Sequence, residues 1–122
     1  MIHRVLIVED HPFQHQYLAQ LFRSVGGFDV ELQADANLAI EQLRNQAFHL
    51  VVTDLMMPQL DGVQFIQKMS LLPSPPALGL MTAASARVLA GVGKVAENRG
   101  IRLAGMISKP VQGHHVAALR RY

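Results

Sequence analysis

Cysteine is absent from the 122 residues. No disulfide framework, thiolate metal site or cysteine nucleophile is therefore available, and a reducing cytoplasm suits the chain. No apolar run approaches the ~20 residues that span a bilayer. The opening MIHRVLIVED has one arginine and a short apolar run that ends in acids, which is not a secretion signal. A basic stripe is lacking too: the formal charge is +2 and only Arg120 and Arg121 are adjacent. Neither direct nucleic-acid binding nor a membrane surface is indicated. Repeats, low-complexity segments and linkers are also missing. What remains is 50% hydrophobic and 16% charged, the composition of an ordered globular chain long enough for one domain, residues 1–122. The last helical segment reaches Tyr122 without a cap or polar tail, which reads as a domain cut from a longer protein.

Short apolar runs alternate with segments of helical period. Val5 to Val8 reads as a strand, followed from Pro12 by a helix with Phe13, Tyr17, Leu18, Leu21, Phe22 and Val25 on one face. Gly26-Gly27 ends it, and the alternating Phe28 to Leu32 reads as an edge strand. Ala36, Ala39, Ile40 and Leu43 make a second helical face capped by Asp35. Leu50 to Thr53 is a third strand, and a helix from about Asp61 buries Phe65, Ile66 and Met69 before PSPP stops it. Ala77 to Thr82 is a fourth strand. Ser85 caps a helix with Val88, Leu89, Val92, Val95 and Ala96 inward, and Leu103 to Ile107 is a fifth strand. A short helix around His115 to Tyr122 closes the chain. Apolar inner strands interleaved with helices point to an α/β, three-layer doubly wound domain with a five-stranded parallel sheet.

Open parallel sheets bind their ligands beyond the carboxyl ends of the strands. Here those ends carry Glu9 and Asp10, then Asp54, then Thr82, then Ser108, Lys109 and Pro110. Any one acid reads equally well as a solvated loop carboxylate; three of them beside a hydroxyl and a lysine do not. Oxygen ligands without thiols favour a hard cation, and magnesium tolerates one or two carboxylates with waters and phosphate oxygens. A carboxylate beside a cation and an ammonium group can attack a phosphoryl donor to give an aspartyl phosphate.

With those residues in view, the chain resembles the receiver domain of bacterial two-component response regulators, of the CheY-like superfamily. The resemblance covers essentially the whole length and rests on VLIVED, VVTDLMMPQLDG, the hydroxyl in LMTA and SKP, in that order. It implies a flavodoxin-like sheet order 2-1-3-4-5. Asp54 becomes the phosphoacceptor, with Lys109 as phosphate contact, joined to Pro110 by a cis peptide, and Thr82 as switch hydroxyl. Magnesium, with manganese or calcium able to take its place, is held by Asp10, Asp54, the backbone carbonyl of Met56, and Glu9 through water. Asp61-Gly62 reads as a turn and cap. The implied partner is a sensor histidine kinase or phosphotransfer protein, and the implied output is a shift of the surface made by the fourth helix, fifth strand and fifth helix. Such a chain catalyses only its own phosphorylation and dephosphorylation.

The sequence departs from that family in definite places. Met106 stands where a tyrosine or phenylalanine usually couples to the switch hydroxyl, and Val111 replaces a common phenylalanine after SKP. The segment between Thr82 and Lys109 is a few residues long for the family and carries Gly91 and Gly93, each costing roughly 1 kcal/mol in a helix relative to alanine. The two positions that influence hydrolysis in the family are Met56 and Ala84, neither polar, which implies slow self-dephosphorylation. EDHPFQ and the lengthened segment resemble receivers joined to EAL-type cyclic-di-GMP phosphodiesterase domains. Met106 also admits a degenerate receiver acting as a constitutive dimerisation or docking module. A true phosphohydrolase wants an acid two residues after the nucleophile, where Met56 stands.

Other signals carry less. His11 and His15 have a metal-binding spacing but no third ligand, so they read as a solvated first turn. His114-His115 reads as surface. Met56, Met57, Met69 and Met81 read as loop and core packing, and AGVGK lacks the spacing of a phosphate loop.

Overall fold

The structure is a computed structural model that describes residues 2–57, 60–83 and 85–121. Ten elements alternate in chain order: β1 (His3–Val8), α1 (Pro12–Val25), β2 (Phe28–Gln33), α2 (Ala36–Asn45), β3 (Leu50–Asp54), α3 (Gly62–Met69), β4 (Ala77–Thr82), α4 (Ala86–Asn98), β5 (Leu103–Ser108) and α5 (Gly113–Leu119). All strand pairs are parallel and the sheet order is β2-β1-β3-β4-β5. The inner strands β1, β3 and β4 are buried almost throughout, which explains why they read as continuous apolar runs.

Two apolar clusters flank the sheet. One joins Leu6, Val51 and Leu78 to α2, α3 and α4 through Ile40, Phe65, Ile66, Leu89 and Ala96. The other joins Ile7, Val52 and Met81 to α1 and α5 through Leu18, Phe22, Val116 and Leu119. The layers are therefore α1 and α5, the sheet, and α2, α3 and α4, as the interleaved pattern predicts.

Local chemistry sets the helix starts. Pro12 opens α1, where a missing N–H costs nothing. Asp35 Oδ1 accepts from Asn37 N–H at 2.8 Å. Asp61 Oδ1 accepts from Gln64 N–H at 2.8 Å while Gln64 Oε1 accepts from Asp61 N–H at 3.2 Å, a capping box at α3. The glycine after it is required by space: a Cβ on Gly62 would lie 2.1 Å from Leu55 Cδ1.

Three expectations shift. Phe13, placed on the inward face of α1 by its spacing, is 80% exposed, and Tyr17 is 44% exposed. The first turns of α1 start at the carboxyl edge of the sheet, where the strands beneath them have ended, so helical period alone overstates the covered face. Val88 on α4 is likewise 49% exposed. The final helix is α5 at Gly113–Leu119, two residues earlier in its start than its sequence pattern predicts; Tyr122 lies outside the described residues, as do Pro58 and Ala84.

Candidate functional site

The strand register brings the site together. Val8 pairs with Thr53, Asp54 with Met81, and Thr82 with Ser108. Glu9 leaves β1 just past its last rung, Asp54 ends β3, Thr82 ends β4, and Lys109 follows β5. Lys109 N–H donates to the Thr82 carbonyl at 2.9 Å, so β5 keeps its pairing up to the lysine. The Lys109–Pro110 peptide is cis.

Around Asp54 every oxygen is engaged. Its Oδ1 accepts from Met56 N–H at 2.9 Å and its Oδ2 accepts from Lys109 Nζ. The same ammonium donates to Glu9 Oε2 at 3.1 Å, and Glu9 Oε1 accepts from His11 N–H at 3.2 Å. Glu9 is 1% exposed, Asp54 8% and Thr82 1%. Burial raises the Glu9 carboxyl above its ordinary value, the nearby Asp54 charge pushes the same way, and the His11 amide and Lys109 only partly oppose them. Burial alone would lower the Lys109 ammonium, but the Asp54 and Glu9 carboxylates outweigh it and hold its pKa above the usual lysine value. Lys109 therefore stays charged.

Of the residues singled out from sequence, Glu9, Asp54 and Lys109 touch one another, and Thr82 joins them through the backbone. Asp10 follows Glu9 and is half-buried. Met56 enters through its amide, while its side chain is 69% exposed. Met106 does not join: 46% exposed on β5, it lies against α4, where a Cβ on Gly93 would come within 2.7 Å of its Sδ.

Sequence reasoning missed three contributors. The amides of His11 and Met56 act as backbone donors, which residue identity does not signal. Tyr17 Oη donates to the Val111 carbonyl at 2.7 Å, tying α1 to the loop after Pro110. Val111 itself is 3% exposed, so the residue in the usual phenylalanine position still packs inward. The histidine spacing led only partly right. His11 is exposed, but His15 is half-buried and its Nε2 is buried without a hydrogen-bond partner; burial lowers its pKa. His115 Nδ1 accepts from Gln112 N–H at 3.0 Å and so helps cap α5.

Two carboxylates, Glu9 and Asp54, share one ammonium, and Asp10 follows Glu9 in the chain, so the strand ends carry more acids than cations. All side-chain donors there are oxygens, apart from Lys109. Among the described residues no group of three His, Cys, Asp or Glu side chains is placed to enclose a metal by itself. That donor set fits magnesium, which keeps several waters and needs only one or two carboxylates. It does not fit zinc, which asks for a closed set of nitrogen or sulfur ligands.

The model of the response regulator receiver domain matches residues 5–119. The response regulator Rre1 of Synechocystis sp. is 38% identical over 65 residues, 53% of this chain and 28% of that protein. A protein-glutamate methylesterase/protein-glutamine glutaminase of Xanthomonas campestris is 35% identical over 86 residues, 68% of this chain and 24% of that protein. The chain thus spans about a quarter of the length of these relatives. Among solved structures, the receiver domain of a sensor histidine kinase from Pseudomonas aeruginosa, with a magnesium ion coordinated in its active site cleft, superposes with a TM-score of 0.79 at 22% identity, covering 100% of this chain and 98% of that one.

Proposed function

The chain belongs to the response regulator receiver domain family, and on that premise we propose that it accepts a phosphoryl group on Asp54 from a histidine kinase or phosphotransfer protein. The observation that supports this most directly is the Glu9–Lys109–Asp54 chain at the strand ends. One ammonium held by two carboxylates stays charged and is already beside the oxygen that would attack.

For the reaction, Asp54 Oδ2 leaves Lys109 and attacks phosphorus in line with the donor nitrogen. An O–P bond forms and the P–N bond breaks. The imidazole keeps its electron pair and takes up a proton. The Met56 amide holds Oδ1 in place, which fixes the plane of the attacking carboxylate. Lys109 follows the charge onto a phosphoryl oxygen, and Thr82, buried at the neighbouring strand tip, donates to another. Magnesium, when bound, neutralises phosphoryl charge; Asp10, Asp54 and the Met56 carbonyl would hold it, and Glu9 would do so through water. The added charge at Asp54 then shifts Thr82, α4 and β5.

The chain acts on no separate substrate in this reading, and its place is the cytoplasm. Among the described residues no helix is long and apolar enough to cross a membrane. Its output is a further unit or partner, for which an EAL-type phosphodiesterase is a candidate resting on EDHPFQ and the lengthened segment before SKP. A second reading is a constitutive docking or dimerisation module, favoured by the exposed Met106 seated on Gly93. Acetyl phosphate with magnesium, followed by intact mass and elution volume, separates the two. One phosphoryl mass on the wild type and none on Asp54→Ala, with a changed elution volume, is the expected result. No mass gain on the wild type would leave the docking module.

A further inference from the structure

The formal charge of +2 is the remainder of two unlike halves. Residues 1–62 carry eight acids against three Lys or Arg, whereas residues 63–122 carry eight Lys or Arg against one acid, Glu97. The sheet order sets these halves side by side, with β2 and β1 toward one edge and β4 and β5 toward the other. On the basic side, Arg87 and Lys94 of α4, with Arg99 and Arg102 beyond it, are all exposed. Among the described residues none of the four makes an ion pair.

An apolar cavity of about 150 Å³ opens beside this charge, between α3 and α4. Leu55, Met56, Val63, Val88 and Val92 wall it. Asp61 stands at its edge with its carboxylate turned to the α3 amides. A cavity of this order holds one benzene-sized group. Along α4, Arg87, Gly91 and Lys94 recur at helical spacing and form the outer ridge, with Val88 and Val92 next to it on the cavity side. Gly91 has nothing within 4 Å of its would-be Cβ, so the ridge is low between its two cations.

We propose that the α3–α4 cavity and the basic ridge of α4 dock an acidic segment of a partner protein. One bulky apolar side chain of that segment fills the cavity, and its carboxylates face Arg87 and Lys94. The charge pattern selects this occupant. A two-fold dimer through α4 would set each cation against its own copy. The acidic edge of a second copy is a poorer partner, because Glu31 pairs with Arg4, Glu41 with Arg44 and Asp35 caps α2, which leaves the exposed Asp29 to face two cations. Nucleic acid would find no Phe, Tyr or Trp for base stacking, since none occurs from Ile66 to Arg121, and the only imidazoles there, His114 and His115, lie on α5 and not on α3 or α4. An acidic segment uses both features: the charges steer and orient it, and the anchor holds it.

The test is an amide NMR titration of the unphosphorylated chain with three probes. These are a short glutamate peptide centred on one leucine, the same peptide with serine there, and a single-stranded oligonucleotide of equal charge. Without a phosphoryl donor, the outcome is independent of the chemistry at Asp54. The leucine peptide should shift the amides of Val63, Val88 and Val92, and should bind at least about tenfold more tightly than the serine peptide. Arg87→Glu with Lys94→Glu, or Val88→Asp alone, should weaken it by a similar factor while the rest of the spectrum keeps its dispersion. Absence of shifts at α3 and α4, equal binding of the serine peptide, or an oligonucleotide that binds as well would each overturn the proposal.

Discussion

The sheet end where Asp54 is proposed as acceptor and the α4–β5 face lie a few residues apart, yet they are built on opposite rules. At the acceptor end, Glu9, Asp54 and Thr82 are buried, and both Asp54 oxygens and both Glu9 oxygens have donors. Geometry there is fixed by charge-assisted bonds among partners that cannot be exchanged. On the α4–β5 face, the cap bond from Val88 N–H to Ser85 Oγ is a long 3.4 Å, two glycines sit inside α4, and a thioether lies on the helix at Gly93. The proposed chemistry needs a single arrangement, whereas a face proposed to move needs two of similar energy.

Removing the lysine gives the largest test of that contrast. Lys109→Met leaves Glu9 and Asp54 buried and mutually repelling, and its side chain is 18% exposed, so some solvent screening remains. Stability at neutral pH should fall by about 2–4 kcal/mol, measured by urea unfolding. Phosphorylation by acetyl phosphate should become undetectable. A variant of unchanged stability would mean that the acceptor end is no more tightly determined than α4.

Amide exchange compares the two regions directly. The helical cost of Gly91 and Gly93 together is about 2 kcal/mol relative to alanine. Amides in the middle of α4 should therefore open more readily than those of α1, which has no internal glycine and buries Leu18, Ala19 and Phe22. Equal protection would remove the distinction between a fixed end and a loose one.

The two ends also differ in how far the sequence revealed them. Every strand end could be located from apolar runs and their terminators, and a parallel sheet aligns such ends, so Glu9, Asp54, Thr82 and Lys109 could be gathered before any coordinates. The contacts of α4 could not. The pairing of Gly93 with Met106 depends on which turn of α4 crosses β5, and spacing along one chain does not encode that. Phe13 and Val88 fit the apolar stripe of their helices and still face solvent, because the stripe says nothing about where the sheet beneath it ends. The basic face was hidden for a similar reason: Arg87, Lys94, Arg99 and Arg102 are spread along the second half of the chain, and only the strand order brings their elements to one side of the sheet, whereas Arg120 reaches back to Gly26.

A smaller effect separates the two glycines. Gly91 has open space around it, so Gly91→Ala should stabilise the chain by about 0.5–1 kcal/mol. Gly93→Ala gains the same propensity but drives its Cβ into Met106 Sδ. The thioether is flexible and can move aside, which makes the net change smaller than at Gly91. Adding Met106→Ala to Gly93→Ala should recover the difference, and the coupling energy from that double-mutant cycle measures how firmly β5 is attached to α4. Additive effects would mean that Met106 rests on the helix without positioning it.

The smallest effect is a pH slope, and it belongs to the acceptor side. His15 on α1 is held neutral by burial, so its folded pKa lies below the ordinary 6.5. Above that value both folded and unfolded chains carry it neutral, and it does not affect stability. As pH falls below it, the unfolded chain protonates first, and stability declines until the lowered folded value is passed. Burial and the neighbouring His114 lower His115 in the same direction. The urea midpoint should therefore drop as pH falls through the histidine range, and His15→Phe should flatten part of that drop. Since α4 contains no histidine, its exchange rates, corrected for intrinsic chemistry, should change less across that range than those of α1. A larger change in α4 would show that its looseness is coupled to the α1 side of the sheet and is not a property of its own glycines.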